Sequence, residues 1–364
     1  MKGQLGFAGR MAQAFINNSL TPVIVLGAIF AGIFAAAVLP REEEPQIVVP
    51  MIDIFVGYPG ARPKEVEERI VKPMEKLLWE VKGVEYIYST SMPNMGMLTV
   101  RFLVGQSEED SLVKTYHKLF SHLDLMPSGI TPPLVRLRTI YDVPVLALTL
   151  WGENYDSYKL RRIATQLICD QCKSVREVNE AVVIGGQRRQ IRVILDPAAL
   201  AGYNVSAGMV FKTLQAADQE LEVGSFEKNN SEIYVRTGRW LTSKEDVGDV
   251  VVGVYRGRPV YLRDVAEIVD GPEEPADYVF FSPGPAEHEK EGWPIPEEAK
   301  PGHLYPAVTI MVAKHKAANA IHVVNKVLAK IRELQRTVLP PDLHITITRN
   351  YGAMATEKSN ELLE

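Results

Sequence analysis

The longest run of hydrophobic residues lies near the N-terminus of the chain. No charged residue occurs between Arg10 and Arg41, and residues 20–39 read LTPVIVLGAIFAGIFAAAVL. At a rise of about 1.5 Å per residue, roughly 20 helical residues match the ~30 Å hydrocarbon core of a bilayer. The pattern therefore predicts a membrane-spanning helix over residues 20–39.

Two other structures are compatible with this run. The alanines at 35–37 offer small residues for a peptidase, so a cleaved signal peptide is one alternative. Against it, the apolar stretch is longer than the usual h-region of roughly 7–15 residues, and it ends in LPREEEP. A buried core helix is the other alternative, although the uncharged stretch is long for one.

The charges that flank the run predict its orientation. Lys2 and Arg10 precede it without any acidic residue, whereas Arg41 is followed by glutamates at 42–44. Because positively charged flanks stay in the cytoplasm, this asymmetry places the N-terminus inside and everything after Pro40 across the membrane.

Beyond the run, strand-like and helix-like spacings alternate. An extended apolar stretch at 51–56 precedes the turn sequence GYPG and a helix that Pro63 can begin. Two strands and a helix at 110–123 follow, which makes a β-α-β-β-α pattern of the ferredoxin-like kind. Pro73 is expected to kink the first helix. The apolar residues of that helix recur on one stripe: Val66, Ile70, Met74, Leu77, Leu78 and Val81.

A similar alternation recurs in two later pieces. Two β-α-β pieces that are separated in sequence can complete one second domain. Residues 186–271 between them are predicted to form an inserted small domain, and the proline-rich stretch 282–306 a long surface loop. The elements predicted in the two pieces are strands at 144–150, 181–195, 307–313 and 343–348, and helices at 158–172 and 319–338.

Composition narrows the class of protein. With 46% hydrophobic and 23% charged residues, the chain is neither disordered nor collagen-like. The 40 Lys and Arg residues against 45 Asp and Glu residues give a net charge of −5. The chain as a whole thus lacks the basic character of a nucleic-acid-binding protein, and no nucleic-acid partner is predicted.

Few residues are candidates for catalysis, redox chemistry or metal binding. Cys169 and Cys172 form a C-x-x-C at the end of the predicted 158–172 helix, where the helix dipole cannot stabilise a thiolate. We therefore predict that both cysteines are ordinary residues on the helix surface. The histidines lack the spacing of a zinc site. Methionines at 92, 95 and 97 flank a turn and could bind Cu(I), although methionine more often fills packing gaps. We predict no catalytic, cofactor or metal site and no enzyme.

Four segments resemble the resistance-nodulation-division (RND) efflux transporters. Residues 39–91, LPREEEPQIVVPMIDIFVGYPGARPKEVEERIVKPMEKLLWEVKGVEYIYSTS, are similar to the first periplasmic segment of that family. Residues 185–218, which begin GGQRRQIRVILDPAAL, and residues 257–274, GRPVYLRDVAEIVDGPEE, resemble the start and the end of its docking subdomain. Residues 315–349 resemble the strand-helix-strand that leads back to the membrane. The segments follow the order of the family.

The resemblance implies an α+β architecture. One N-terminal transmembrane helix would be followed by two ferredoxin-like β-α-β porter subdomains with an inserted small α+β docking subdomain. Family members continue with further membrane helices that carry the proton-relay carboxylates, so we expect a truncated product or a piece cut for expression. The implied bounds are 1–45 for the cytoplasmic N-terminus and transmembrane helix, 46–138 for the first porter subdomain, 139–184 with 273–349 for the second, 185–272 for the docking subdomain, and 350–364 for the lead-in to a second membrane helix.

The resemblance also implies a function. Family members are proton-driven antiporters of the bacterial inner membrane that export amphiphilic and hydrophobic compounds, such as drugs and detergents, and so confer multidrug resistance. We accordingly expect a single span with most of the chain in the periplasm, contact with membrane lipid, a homotrimer with the complete subunit, a periplasmic adaptor (membrane fusion) protein and an outer-membrane channel. The YPGA-type segment favours the hydrophobe and amphiphile exporters. The alternatives are a stand-alone membrane-anchored periplasmic accessory protein and a fragment of a heavy-metal exporter.

Candidate substrate-pocket residues follow from the resemblance alone. In this family the pocket lies in the cleft beside the second porter subdomain, and such pockets are mainly apolar. Each of these positions is also compatible with a place in a hydrophobic core. The residues that align with the pocket lining are Val143, Val145, Ile184, Tyr278 and Phe280.

Overall fold

The N-terminal region forms two helices, α1 (Phe7–Ile16) and α2 (Thr21–Val38). The computed structural model describes residues 6–16, 18–38, 47–228, 231–284, 295–296 and 299–362. Over this described part of the chain, no helix is both long enough and apolar enough to cross a membrane. The span predicted at 20–39, whose last residue lies outside the described part, is therefore not confirmed.

The first α+β unit, which we call unit 1, is built on one antiparallel sheet. Its strands lie in the order β2-β3-β1-β4. Two helical segments separated by a π-helical turn connect β1 to β2, and one helix connects β3 to β4. The elements are β1 (Met51–Gly57), α3 (Pro63–Val66), α4 (Lys72–Trp79), β2 (Val84–Met92), β3 (Met95–Phe102), α5 (Glu108–Phe120) and β4 (Leu134–Arg138).

The predicted apolar stripe packs against the sheet of unit 1. Val66, Ile70 and Met74 are fully buried, together with Ile54 and Val100 of the sheet, which confirms that face of the helix. The expected kink takes the form of the π-helical turn Glu67–Val71 just before Pro73. Proline has no backbone N–H to donate to the carbonyl one turn earlier, and its ring would clash with that carbonyl in a regular helix. The wider π-helical turn accommodates both effects.

The second unit, unit 2, begins with another β-α-β piece. Asp156 caps its helix by accepting a hydrogen bond from the backbone N–H of Lys159 at 2.7 Å. A π-helical turn, Ala164–Cys169, interrupts the helix. The elements are β5 (Pro144–Trp151), α6 (Ser157–Ile163), α7 (Asp170–Lys173) and β6 (Val178–Ile184).

An insertion with its own core follows β6. Its first and last strands pair with each other, so the chain leaves and re-enters unit 2 side by side. Asp196 and Ser206 cap helices as the sequence predicts, by accepting backbone hydrogen bonds from Ala198 and Met209. The elements are β7 (Arg189–Leu195), α8 (Pro197–Tyr203), α9 (Ala207–Ala217), β8 (Gln219–Lys228), β9 (Ser231–Arg239), α10 (Lys244–Gly248), β10 (Val251–Tyr255), β11 (Arg258–Tyr261) and β12 (Ala266–Pro272).

The C-terminal part completes unit 2. Strand β14 pairs with β5, β6 and β13, and β5 pairs with β15, so both halves of the unit contribute to one five-stranded antiparallel sheet. The core lies between this sheet and the helices α6 and α11. The elements are β13 (Phe280–Phe281), β14 (Tyr305–Lys314), α11 (Ala320–Thr337), β15 (His344–Asn350) and α12 (Tyr351–Glu361).

Two predictions about connections need correction. The single strand predicted at 181–195 is wrong, because Gly185 and Gly186 adopt φ values of +80° and +71° that end β6 and redirect the chain. About half of the predicted surface loop at 282–306, residues 285–294 and 297–298, lies outside the described residues. Two of its described residues, Ile295 and Ala299, are buried in an apolar cluster rather than exposed.

Candidate functional site

The sheet of unit 2 has two chemically different faces. On one face, Leu148 of β5 and Ile310 of β14 pack against α6 and α11 and belong to the core. Successive side chains of a strand point to opposite faces, so the residues between them face away from these helices. We call that second surface the outer face of unit 2.

Threonine side chains occupy the centre of the outer face. The hydroxyl oxygen of Thr149 lies 3.0 Å from that of Thr309 on one neighbouring strand and 3.0 Å from that of Thr348 on the other. The indole N–H of Trp151 donates to the hydroxyl of Thr346 at 2.9 Å. These contacts show that the five side chains share one face and form a polar strip across three strands.

An apolar edge adjoins the threonine strip. Ile184 pairs with Thr309 across the strands and Val182 pairs with Met311, so both β6 side chains lie on the outer face. Their side chains are about 40% exposed, at 39% and 41% respectively. The outer face therefore combines an exposed aliphatic edge with hydroxyl groups, an arrangement suited to amphiphilic molecules.

One end of the outer face is closed by aromatic packing. The ring of Trp151 lies 4.7 Å from Phe281, 4.9 Å from Tyr305 and 4.7 Å from His344, measured between ring centroids. Trp151, Phe281 and Tyr305 are buried with Ile295. Because these rings are covered, they hold the sheet end together rather than offer a surface.

The five predicted pocket residues do not converge on one surface. Val145 is buried in the core of unit 2, and Val143, just before β5, is partly buried. Ile184 lies on the outer face. Tyr278 and Phe280 are exposed and stack on each other at 6.5 Å, and Phe280 points away from the face to which the adjacent Phe281 points. A pocket role for these residues stays a prediction.

The cysteine pair lies in the core instead of on the helix surface, so that prediction is wrong. Cys169 and Cys172 are both buried and free, and the thiol of Cys169 donates to the carbonyl of Ala181 at 3.1 Å. Burial raises the pKa of both thiols, that of Cys172 to about 12. Neutral buried thiols of this kind are chemically inert packing residues.

The described residues contain few other candidate sites for metal binding or catalysis. In the described ranges, no three His, Cys, Asp or Glu side chains come together as a metal site would require. A cavity of about 570 Å³ in the insertion contains Asp246 and Asp249. The Asp246 carboxylate accepts hydrogen bonds from the backbone N–H of Ser243 and the hydroxyl of Thr242 before α10, and Asp249 pairs with Arg263, so both carboxylates already have structural partners.

Comparison with known proteins identifies the family. The family model described as the AcrB/AcrD/AcrF family matches residues 11–288. The chain is similar to the multidrug resistance proteins MdtC of Proteus mirabilis, Yersinia enterocolitica and Yersinia pseudotuberculosis, at 23% identity over 277 residues in each case. These residues make up 76% of this chain but 25% of each relative, so the chain spans about a quarter of their length. Since the family model covers well over half of the sequence, the chain belongs to the AcrB/AcrD/AcrF family of RND transporters.

Proposed function

We propose that the chain supplies porter and docking parts of a multidrug efflux transporter, and that the outer face of unit 2 contacts the exported compounds. The observation that carries this proposal is the exposed aliphatic edge of Ile184 and Val182 beside the threonine strip. Family membership and the similarity to multidrug resistance proteins support a transporter rather than an enzyme.

The chemistry of the outer face favours amphiphilic substrates. An apolar ring or chain placed on the two β6 side chains would lose contact with water, while a polar group of the same molecule could reach the hydroxyls of Thr309 and Thr348. Thr348 and Thr309 already hydrogen-bond to Thr149, and each hydroxyl has a further lone pair to offer. Such a surface discriminates weakly among compounds, as multidrug export requires.

The architecture supports the assignment of subdomains. In unit 1, the strand order β2-β3-β1-β4 agrees with a ferredoxin-like porter subdomain at 46–138. In unit 2, the shared sheet agrees with a second porter subdomain formed by 139–184 and 273–349. The separate core of the insertion agrees with a docking subdomain at 185–272. We propose these bounds for the transporter.

The membrane-related part of the proposal concerns α2. Its large apolar side chains, among them Phe30 and Phe34, are exposed, which supports contact with lipid. We propose an inner-membrane location with Lys2 and Arg10 in the cytoplasm and units 1 and 2 in the periplasm. Proton-driven antiport, a homotrimer, a periplasmic adaptor and an outer-membrane channel belong to the same proposal and rest on family membership.

Binding of a fluorescent amphiphile tests the outer face directly. The full chain in lipid nanodiscs is titrated with rhodamine 6G, and anisotropy is recorded after subtraction of empty nanodiscs. Ile184→Ser should raise the apparent Kd about fivefold. The exposed part of the isoleucine side chain contributes ~1 kcal/mol to the binding free energy when a ligand covers it. Val113→Ser, which changes an exposed aliphatic residue of α5, is the matched control and should leave the Kd unchanged. Equal Kd values for the wild type and both variants would refute binding at this face.

A further inference from the structure

A pair of glycines brings the start of the insertion against helix α6. A Cβ atom on Gly186 would lie 2.5 Å from the carbonyl oxygen of Ser157 and 2.8 Å from the Cβ of Arg161. Both distances are shorter than real contacts, so only glycine allows the chain to pass this close to the helix. As a result, residues 187–189 lie beside the first turns of α6.

This close approach creates a basic cavity of about 280 Å³. Its lining contains four arginines and three neutral residues that can form hydrogen bonds, and no carboxylate. The arginines come from two segments that are 25 or more positions apart in sequence, so no single basic run explains the cluster. The lining residues are Arg161, Arg162, Thr165, Gln166, Gln187, Arg188 and Arg189.

Two of the four arginines have structural partners. Arg189 forms a two-pronged ion pair with Asp270, with Nε 2.8 Å from Oδ1. Arg161 donates to the carbonyls of Gly185 and Gly186. The two strands that enter and leave the insertion are also tied together, because the backbone N–H of Arg188 donates to Glu273 at 2.8 Å. These contacts hold the cavity wall in place.

The other two arginines are available. Within the described residues, the guanidinium groups of Arg162 and Arg188 form no ion pair with a carboxylate, and both residues are exposed. The guanidinium of Arg162 lies over the ring of Tyr158, 5.9 Å from its centroid. Desolvation and then the positive charge of Arg188 lower the pKa of Arg161, while Glu273 and Asp277 act in the opposite direction. The positive charges of Arg161 and Arg188 are thus close enough to repel each other.

We propose that this cavity at the root of the insertion binds a phosphate monoester dianion through Arg162 and Arg188. Two free guanidinium groups match the two charges of the dianion, and the planar donor fork of arginine suits phosphate oxygens. Thr165, Gln166 and Gln187 supply neutral donors at the same wall. A free phosphorylated metabolite and the headgroup of phosphatidic acid share this chemistry.

Occupancy would strengthen the junction between unit 2 and the insertion. Arg162 belongs to α6 of unit 2, whereas Arg188 directly precedes β7, the first strand of the insertion, and its backbone N–H is bonded to Glu273, which directly follows the last strand, β12. A dianion held by both arginines links the two parts and offsets the positive charge that Arg188 presents to Arg161. The inference is independent of substrate binding at the outer face, since it uses a different surface and different residues.

Isothermal titration calorimetry tests the proposal on the full chain in detergent. Inorganic phosphate is titrated at pH 8, where it is a dianion, against a chloride blank of equal ionic strength. The double variant Arg162→Gln/Arg188→Gln should bind at least about 100-fold more weakly, because each charge-assisted contact accounts for at least about tenfold. Arg256→Gln/Arg263→Gln removes the same charge from exposed arginines of the insertion and should bind like the wild type.

The outcomes separate the alternatives. Tighter binding of dihexanoyl phosphatidic acid than of glycerol 3-phosphate would assign the site to lipid headgroups, and the reverse order to free phosphate esters. Equal phosphate binding by the wild type and the Arg162/Arg188 double variant would overturn the proposal. A hexaglutamate peptide that binds through these arginines while phosphate does not would also overturn it, in favour of an acidic protein segment. Circular dichroism checks that both double variants are folded.

Discussion

Truncation of Leu78 tests the packing on which unit 1 depends. Leu78 lies on α4, is fully buried, and belongs to the core between the helices and the sheet of unit 1. Leu78→Ala removes three carbon atoms, which at ~0.8 kcal/mol each amounts to about 2.4 kcal/mol of transfer free energy. The remaining cavity adds to this loss, and buried leucine truncations cost about 2–5 kcal/mol in total.

Hydrogen exchange measures this loss within the full chain. Because a protein with several units does not unfold in one step, a single midpoint would not report on unit 1 alone. Exchange followed by mass spectrometry resolves peptides from each unit. A loss of ~3 kcal/mol should accelerate the slowest amides of β1 and β3 about 100-fold, since they exchange when the unit opens as a whole. Peptides from β5 and β14 in unit 2 should keep their rates.

The control for this experiment is two residues away on the same helix. Lys76 is exposed, and Lys76→Ala should change the free energy of unfolding by no more than about 0.5 kcal/mol. If Leu78→Ala and Lys76→Ala accelerate exchange equally in β1 and β3, the buried face of α4 is misassigned. The placement of the helix on the sheet would then fail with it.

Two further predictions concern the cysteines and the orientation of the chain. Burial raises the pKa of the Cys172 thiol to about 12, so at pH 8.5 it stays protonated and should react with iodoacetamide only after urea is added; equal labelling with and without urea would contradict its burial. With Lys2 and Arg10 in the cytoplasm, alkaline phosphatase fused after Glu364 should be active, whereas bright fluorescence of a green fluorescent protein at the same position would refute the orientation.

Local patterns predicted most elements of the fold. The stripe from Val66 to Val81 identified the buried face of the first helix because helical periodicity is a property of neighbouring residues. The helix starts at Asp196 and Ser206 could also be predicted from the sequence, since a cap needs only a side chain and the next few backbone N–H groups. Strand order is different in kind, because pairing of β1 with both β3 and β4 depends on contacts between distant residues.

The failed prediction for the cysteines has a separate cause from the failed strand at 181–195, which the glycines at 185 and 186 interrupt. The cysteines were placed on the helix surface by assuming a regular helix, but the π-helical turn Ala164–Cys169 rotates the residues after it relative to those before. Cys169 and Cys172 consequently turn toward β6 and the core. Insertion of one residue into a helical turn leaves no clear mark in hydrophobic spacing, so a sequence pattern could not show it.

At the outer face, Ile184 was predicted from the sequence, but the threonines at its centre were not. Ile184 was selected through the family resemblance, whereas the threonines at 149, 309, 346 and 348 come from three strands far apart in the chain. The one available signal is the alternation of threonine with isoleucine in HITITR at 344–349, which marks a strand with a polar and an apolar face. That signal says nothing about which other strands supply hydroxyls to the same face.

The glycine pair shows how one local feature can set both architecture and chemistry. Gly185 and Gly186 end β6, so the apolar edge of the outer face stops at Ile184. The same two residues let the chain pass against α6, and this contact brings Arg188 to Arg162. Since side chains at 185 or 186 would collide with Val279 or with Ser157, any substitution there must shift the root of the insertion. The outer face and the basic cavity therefore lie on either side of the connection formed by Gly185 and Gly186. A substitution that moves this connection should alter the cavity, whose wall includes residues 187–189, more than the threonine strip, which includes none of them.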